Sequence, residues 1–190
     1  IEDCCESIGA TTPIGKLKLG TLGLMSNFSF YYGHHMTTIE GGMVCTDDQI
    51  CYETLRMLRS HGLLRECSDA KFKEATAADY PDLDPEFIFA FPAYNVRPTE
   101  LNAVLGRSQL KRLDANVETR TRNLLTFLAH LGPKYRTKYR TEGSSNYALP
   151  LVLFEPDAGL FARVTALLRE LNVEYRKGTA GGGNQLRQPY

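Results

Sequence analysis

Two adjacent histidines, His34 and His35, are the residues of this chain whose type and setting most strongly suggest chemistry. They lie in the stretch from 28 to 46, FSFYYGHHMTTIEGGMVCT, between an aromatic run and the pair Gly41-Gly42. An imidazole with an ordinary pKa of about 6.5 can accept and return a proton at neutral pH. The setting therefore indicates a candidate acid–base group, although a lone histidine is more often a hydrogen-bonded structural residue.

Other polar residues are candidates because of where they fall relative to predicted strands. Asp3 ends a short strand in IEDCC, and Ser29 lies on the strand that leads into the histidine bend. Asn95 lies in a loop shortly before a long helix. Open α/β sheets place ligands at the carboxyl ends of their strands, so Asp3, which ends its strand, is expected at such an edge.

The elements that would position these residues follow from periodicity. Alternation of Phe28, Phe30 and Tyr32 predicts a strand with one buried face, and Gly41-Gly42 predicts a turn or a close approach of the backbone. A helix is predicted from Asp47-Asp48 to about His61-Gly62. Residues 63–98 show no sustained period and are predicted to be a long loop with two short aromatic strand-like runs near its end.

One long helix of about 30 residues is predicted from Thr99 to the stop at Gly132-Pro133. Its apolar positions recur near a 3.6-residue spacing: Leu101, Val104, Leu105, Leu110, Leu113, Val117, Leu124, Leu128 and Leu131. A domain boundary is predicted within this helix, between residues 1–115 and 116–190.

The remainder predicts the start of a small α/β domain. It contains a strand over 149–154, a helix from Ala158 to Leu171, a strand over 173–176 and a glycine loop over 178–184.

Composition narrows the function classes. The chain has 190 residues, 22 basic and 22 acidic side chains and 43% hydrophobic residues, with no block of like charge. This argues against a nucleic-acid partner or a membrane, and no apolar run approaches the length of a membrane span. Because the chain begins at Ile1 rather than Met, we expect an internal fragment of a longer protein, inactive and unstable on its own.

The cysteines predict free thiols rather than a metal site. Five cysteines are present, and none forms a CxxC pair, so zinc and iron–sulfur sites are unsupported. Free buried thiols are typical of the reducing cytoplasm, which is the expected location.

Three ordered segments, IEDCCESIGA, FSFYYGHHMTTIEGGMVCTDD and AYNVRPTELNAVLGRSQLKRLD, resemble signatures of the DegT/DnrJ/EryC1/StrS sugar-nucleotide aminotransferases, which depend on pyridoxal phosphate (PLP). GGGNQLRQPY resembles a C-terminal motif of the same group. The resemblance implies an α/β, aspartate-aminotransferase-like fold (fold type I). Residues 1–115 would form part of the large PLP-binding domain, and 116–190 a linking helix and a truncated small domain. It also implies a homodimer with shared active sites.

The resemblance assigns roles residue by residue. Asp3 is similar to the carboxylate that pairs with the pyridine nitrogen, and Ser29 to a phosphate ligand. Asn95 resembles the asparagine that reaches the cofactor phosphate of the neighbouring subunit, and Glu6 resembles a polar residue near the cofactor ring. Arg187 is a candidate for bidentate contact with substrate phosphates, although it could equally be a solvated tail arginine.

Position 34 departs from the family pattern. Most members have there the lysine that forms a Schiff base with the cofactor, whereas this chain has His34, and its eight lysines all lie outside the bend. A histidine at this position resembles the 3-dehydratases of nucleotide-linked 4-keto-6-deoxy hexoses, in which it moves a proton while the cofactor cycles through its aminated form (PMP). The implied catalytic residue is therefore His34.

Two types of such dehydratase are known in the group, and one carries an iron–sulfur cluster with several cysteines in the region matching 62–93. Only Cys67 occurs in that region here, so the cluster-free type, which regenerates PMP from an amino donor such as glutamate, is favoured. Two alternatives stay open at this point. One is a sugar aminotransferase in which another group replaces the lysine, and the other is a lysine-less binding protein without turnover.

Overall fold

A short mixed sheet carries the histidine bend. In the computed structural model, which describes residues 1–178, 185–187 and 189, strand β1 is Glu2–Asp3, β2 is Ser26–Ser29 and β3 is Gly42–Cys45. The order is β1-β2-β3, with β1 parallel and β3 antiparallel to β2. Asp3 pairs in register with Asn27, and Ser29 with Gly42. The ends of β1 and β2 therefore lie along one edge of the sheet.

The bend between β2 and β3 depends on the predicted glycine pair. A side chain at Gly41, where φ is +141°, would place its Cβ 2.7 Å from Thr38 Oγ1. At Gly42 a Cβ would lie 2.9 Å from the Phe28 carbonyl oxygen. Both distances are shorter than real Cβ contacts, so the close approach predicted from the sequence is confirmed.

The strand prediction for the aromatic run is correct only in part. The strand ends at Ser29, and Phe28 and Phe30 pack against a core cluster of Ile8, Met36 and Leu113. Tyr32, predicted on the same buried face, is 63% exposed. The amide of Phe30 bonds the Gly41 carbonyl and its carbonyl accepts from Thr38, so the chain turns before Tyr32 is reached.

Five α-helices lie in the described part of the chain: α1 Gln49–Leu58, α2 Ala70–Asp79, α3 Glu100–Leu110, α4 Leu113–His130 and α5 Ala158–Glu170. Three short 3-10 turns are Leu64–Glu66, Pro85–Phe87 and Gln185–Arg187. The predicted helices after Asp48 and over 158–171 are confirmed. Asp48 caps α1 by accepting from the Cys51 amide, and Asp157 caps α5 by accepting from the Leu160 amide.

The single long helix predicted from Thr99 is wrong, because two helices replace it. At the join the Arg112 amide bonds the Gln109 carbonyl, a three-residue step that interrupts the α-helical pattern. The join contains neither proline nor glycine. Immediately after it Leu113, 7% exposed, packs with Ile8 and Met36, so tertiary packing decides where the second helix begins.

The region 63–98 is not the unbroken loop that the sequence predicted. It contains α2, none of whose residues is buried, which explains why no apolar period marks it. The predicted aromatic strands near 88–96 are reduced to single bridges, Leu63 to Phe89 and Ser60 to Asn95. Ile88 packs instead with Met57, Leu64 and Cys67 in a second core cluster.

Two compact units divide the chain: residues 1–130 with 138–150, and residues 131–137 with 151–190. Residue 115, the predicted end of the first domain, lies inside α4, which belongs wholly to the first unit. The assignment of a large PLP-binding domain, a linking helix and a truncated small domain stays a prediction.

The strands predicted over 149–154 and 173–176 are not formed. Residues 152–154 make only the bridge between Leu153 and Tyr135, with backbone bonds on either side of it. The glycine loop predicted over 178–184 lies, after Gly178, outside the described residues, as does most of the motif over 181–190.

Candidate functional site

The carboxylate of Asp3 lies at the end of β1 and receives several hydrogen bonds. The Cys5 amide donates to its Oδ1 at 3.2 Å, and the Asn27 amide Nδ2 donates to the same oxygen at 3.1 Å. Hydrogen bonding by the Cys5 thiol, then by the Cys5 amide and Asn27, holds the pKa of Asp3 below its ordinary value. Asp3 is therefore an exposed and ionised carboxylate at this edge of the sheet.

Ser29 ends the neighbouring strand with its hydroxyl still able to donate. Its Oγ accepts a hydrogen bond from the Tyr31 amide at 3.3 Å, which occupies a lone pair and leaves the hydroxyl hydrogen available. Because β1 and β2 are parallel, Ser29 and Asp3 lie toward the same edge of the sheet.

His34 lies in the bend that follows Ser29. Its side chain is only 12% exposed, and its Nε2 lies 4.0 Å from Glu6 Oε1. Its Nδ1 is buried and has no hydrogen-bond partner among the described residues. The rings of Tyr31 and Tyr147 each lie with their centroids 5.5 Å from that of His34, at 72° and 74° to its plane. The structure thus brings Glu6 and His34 together, which the sequence did not predict.

His35 faces the interior. It is 4% exposed, and its Nε2 lies 3.0 Å from the carbonyl oxygen of Ser145. Burial, followed by the nearby positive charge of Arg120, lowers the pKa of His35, so the ring is neutral at physiological pH. Since a carbonyl only accepts, Nε2 carries the proton. These contacts make His35 a buried, hydrogen-bonded structural residue.

The two remaining sequence candidates lie elsewhere. Asn95 forms a bridge with Ser60, and its Oδ1 accepts from Arg97 Nε at 3.2 Å. Arg187 is exposed in the last 3-10 turn. Arg187 belongs to the other compact unit, and the roles expected for Asn95 and Arg187 stay predictions.

The residues at the sheet edge fit a pyridoxal-type cofactor. Its pyridinium nitrogen needs a carboxylate that stays ionised, which the hydrogen bonds to Asp3 provide. Its phosphate needs hydroxyl or amide donors, and Ser29 offers a hydroxyl. Within the described residues no helix is long and apolar enough to cross a membrane. No group of three or more potential metal ligands occurs in the same part of the chain.

Several residues of the site escaped the sequence analysis. Asn27 and Cys5 support Asp3, and Tyr147 and Ser145 contact the two histidines. Asn27 lies opposite Asp3 on the neighbouring strand, and this position can be recognised only once the strand pairing is known. For Tyr147 no local signal exists, because the contact joins distant parts of the sequence.

Comparison with known proteins agrees with this geometry. The profile of the DegT/DnrJ/EryC1/StrS aminotransferase family matches residues 1–177. The GDP-4-keto-6-deoxy-D-mannose 3-dehydratase of Yersinia pseudotuberculosis is 35% identical over 184 residues, which cover 95% of this chain and 46% of that protein.

Solved structures of the same kind of enzyme are similar in fold. The E. coli GDP-4-keto-6-deoxy-D-mannose-3-dehydratase with bound hydrated PLP matches with a TM-score of 0.75 and 32% identity, over 95% of this chain and 46% of that one. A GDP-4-keto-6-deoxymannose-3-dehydratase with a trapped PLP-glutamate geminal diamine matches with a TM-score of 0.72 and 30% identity, over 90% of this chain and 44% of that one.

The chain thus spans about half the length of the relatives it matches. The predicted α/β, aspartate-aminotransferase-like fold is confirmed by these structures. The match over 1–177, with the sheet edge and the bend in the expected order, assigns this chain to the DegT/DnrJ/EryC1/StrS aminotransferase family.

Proposed function

We propose that the protein is a PLP/PMP-dependent 3-dehydratase of a nucleotide-linked 4-keto-6-deoxy hexose. The observation that carries the proposal is His34 in the bend, enclosed by aromatic rings and beside a carboxylate, with no lysine in the same bend. Relatives that are about a third identical over nearly the whole chain carry this activity in their names.

The cofactor would supply an electron sink for the substrate, and the chain would supply its anchors. Asp3 would pair with the pyridine nitrogen and keep it protonated, since the hydrogen bonds to Asp3 favour its charged form. Ser29 would donate its hydroxyl to the cofactor phosphate. Asn95 would reach the phosphate in the neighbouring subunit of a homodimer, and Arg187 would contact the substrate phosphates.

His34 would accept and return the proton. Its Nδ1 is buried, so Nε2 is the nitrogen left for proton exchange. With one proton on Nδ1, Nε2 is free to accept a second; the ring is then positive, and the Glu6 carboxylate at 4.0 Å offsets that charge. A positioned base of this kind contributes roughly 10²–10⁴-fold to the rate.

The proposal also includes an amino donor and a cellular location. Glutamate is the expected amino donor that restores PMP, a choice supported by the glutamate adduct in one similar structure. All five cysteines are free, which suits the reducing cytoplasm in which we place the enzyme.

The deciding experiment uses the protein expressed from its complete reading frame. It is incubated with PMP, glutamate and GDP-4-keto-6-deoxy-D-mannose, and the sugar products are identified by mass spectrometry. We expect a product that has lost the C3 oxygen while glutamate is converted to 2-oxoglutarate. A product that keeps this oxygen and gains an amine would instead identify an aminotransferase. Cofactor binding without either product would identify a binding protein.

A substitution tests the placement of residue 34. His34→Lys should restore a lysine able to bond covalently to PLP, so borohydride should trap the cofactor on the protein. The matched control is His130→Lys, an exposed position at the end of α4, which should trap none. Equal trapping in both variants, or none in either, would contradict the placement.

A further inference from the structure

The segment Ser144–Tyr147 lies against the histidine bend although it is distant in sequence; the contact between His35 and Ser145 joins residues 110 positions apart. The Tyr147 ring meets both histidines, with centroids 5.5 Å from His34 and 5.9 Å from His35. No role was expected for this segment.

The 144–147 segment is itself held in place by α4. Arg120 Nη1 donates to the Tyr147 carbonyl at 2.9 Å. Asn146 Nδ2 donates to Thr121 Oγ1 at 2.6 Å, and Asn146 adopts a φ of +53°, in the left-handed region. Ser145 and Asn146 are 2% and 8% exposed. The segment is therefore anchored to the helix through its backbone and one buried amide.

The same segment is joined to the bend by His35. Its protonated Nε2 donates to the Ser145 carbonyl, and both residues are buried. A buried hydrogen bond is costly to break because the separated groups lose a partner without gaining water. The position of Tyr147 relative to the bend is thus fixed from two sides.

The contacts of His34 differ in kind from those of His35. Its buried Nδ1 makes no hydrogen bond within the described residues, so no such bond to that atom sets the rotation of the ring. The Tyr31 and Tyr147 rings instead contact it at steep angles, the edge-to-face geometry that aromatic pairs prefer. The two rings restrict the imidazole sterically.

We propose that Tyr147 is a positioning residue of the reaction, and that its ring, anchored by Arg120 and the His35–Ser145 bond, keeps Nε2 of His34 turned toward Glu6. The inference rests on the proposed function, because it concerns the geometry of the same proton-transferring imidazole. A base displaced by about 1 Å can lose roughly 10²-fold in rate, so such a ring matters without touching the substrate.

The kinetic test compares Tyr147→Phe with Tyr147→Ala in the full-length holoenzyme. The ring makes the contact, so Tyr147→Phe should keep kcat within about threefold, whereas Tyr147→Ala should lower kcat roughly 10- to 100-fold with little change in KM. Tyr147→Leu keeps apolar volume without the ring and serves if Tyr147→Ala fails to fold; it should also lower kcat. Equal losses in the Phe and Ala variants would overturn the proposal.

A second readout needs neither cofactor nor turnover. The His34 ring signals can be assigned in the full-length apoprotein by NMR, as the signals that disappear in His34→Gln. Tyr147→Ala should shift the His34 ring signals and Tyr147→Phe should restore them. The control Tyr135→Ala, a half-buried tyrosine of the other unit, should leave them unchanged.

The two readouts separate failure of this inference from failure of the proposed function. If no dehydration occurs but the His34 signals respond to Tyr147 as expected, the reaction is wrong and the positioning contact stands. If the wild-type enzyme dehydrates its substrate but Tyr147→Ala leaves both kcat and the His34 signals unchanged, Tyr147 does not position His34.

Discussion

At the scale of single residues, Asp3 illustrates how an exposed carboxylate is kept charged. Cys5 and Asn27 both donate hydrogen bonds to the Asp3 carboxylate, and a hydrogen bond to the ionised form favours ionisation. Burial, and then the contact with Asp3, raises the pKa of the Cys5 thiol to about 11, so that thiol stays protonated and able to donate. The Asp3 carboxylate is therefore charged and accepts, while the Cys5 thiol is neutral and donates.

Removing the donors should weaken cofactor retention at acid pH. The lowered pKa of Asp3 means that its charge is kept until the pH falls below the ordinary range of aspartate. Cys5→Ala removes the thiol donor and should move the loss of PLP to higher pH, whereas Cys5→Ser, which keeps a donor, should not. The measurement is cofactor absorbance after dialysis across a pH series. Identical pH profiles for Cys5→Ala and the wild type would contradict the role given to the thiol.

Asp3 itself should matter more than its donors. Asp3→Asn replaces the charge with a neutral amide and should weaken PLP retention by roughly 10- to 100-fold, the range for a hydrogen bond to a charged group. The control is Asp47→Asn, an exposed carboxylate after β3. Equal affinity of Asp3→Asn and the wild type, measured by titration of the apoprotein with PLP, would remove Asp3 from the site.

At the scale of elements, Asn102 joins helix α3 to the histidine bend. Its Oδ1 accepts from the amide and hydroxyl of Thr99, which caps the helix. Its Nδ2 donates to the Thr38 carbonyl at 2.8 Å. Gly106, one turn later, lets the helix approach, since a Cβ there would lie 3.1 Å from Thr38 Cγ2. The start of α3 thus supports the bend that presents His34.

A substitution separates the two functions of Asn102. Asn102→Asp keeps the acceptor for Thr99 but replaces the donor with an oxygen facing the Thr38 carbonyl. We expect the free energy of unfolding to fall by about 1–3 kcal/mol. Hydrogen exchange of the Thr38 amide, which donates to the Phe30 carbonyl, should accelerate. Asn123→Asp, exposed on α4, is the control and should change neither quantity. Unchanged exchange at Thr38 would show that the bend does not depend on this bond.

Glu53 makes a second connection between elements. It is 7% exposed on α1 and accepts from the Ser68 amide at 2.7 Å, from the Ser68 hydroxyl and from Gln49 Nε2 at 2.7 Å. Hydrogen bonding by the Ser68 side chain, then by its amide, lowers the pKa of Glu53. A carboxylate with a lowered pKa stabilises the fold above its ordinary pKa, and that contribution is lost as the pH falls through the lowered value.

Glu53→Gln should therefore destabilise the protein in a pH-dependent way. At pH 7 the free energy of unfolding should fall by about 1–3 kcal/mol, because a neutral amide accepts more weakly and brings its own donors. The difference from the wild type should shrink as the pH is lowered through the lowered pKa of Glu53. Urea unfolding followed by circular dichroism measures the free energy of unfolding of each variant, and Glu74→Gln, at an exposed position, is the control. A difference that grows toward acid pH would contradict the sign.

At the scale of the whole molecule, the chain spans 46% of its curated relative, and the proposed active site would be completed by Asn95 of a second subunit. Asn95 is exposed and contacts Ser60 and Arg97. An asparagine that serves a neighbouring site, rather than His34 of its own subunit, is consistent with those contacts.

Mixing two inactive variants tests the shared site. If Asn95 serves the partner, a dimer of His34→Gln with Asn95→Ala contains one site with both changes and one intact site. Random exchange of subunits should then restore about a quarter of the wild-type rate. Each variant mixed with itself is the control. No recovery, with mixed dimers confirmed by native mass spectrometry, would contradict a shared site.

Part of this molecule was already determined by local sequence. Helices α1 and α5 carry an apolar period and an aspartate cap, so they are fixed by neighbours in the chain. The pair Gly41-Gly42 also marked a close approach in the sequence, although the atom that leaves no room at Gly42 belongs to Phe28 on the neighbouring strand. The residue types Asp3, Ser29 and His34, in that order along strands and a bend, also identified the family before any coordinates.

Only tertiary structure decided the rest. The break between α3 and α4 lies where Leu113 packs on Ile8 and Met36, and no residue at the join marks it. Helix α2 has no buried face and therefore no period to detect. The aromatic enclosure of His34 brings Tyr147 to the bend from a distant part of the chain. Contacts between distant segments leave no periodic trace in the sequence, because their spacing is set by the path of the whole chain rather than by the repeat of a helix or strand.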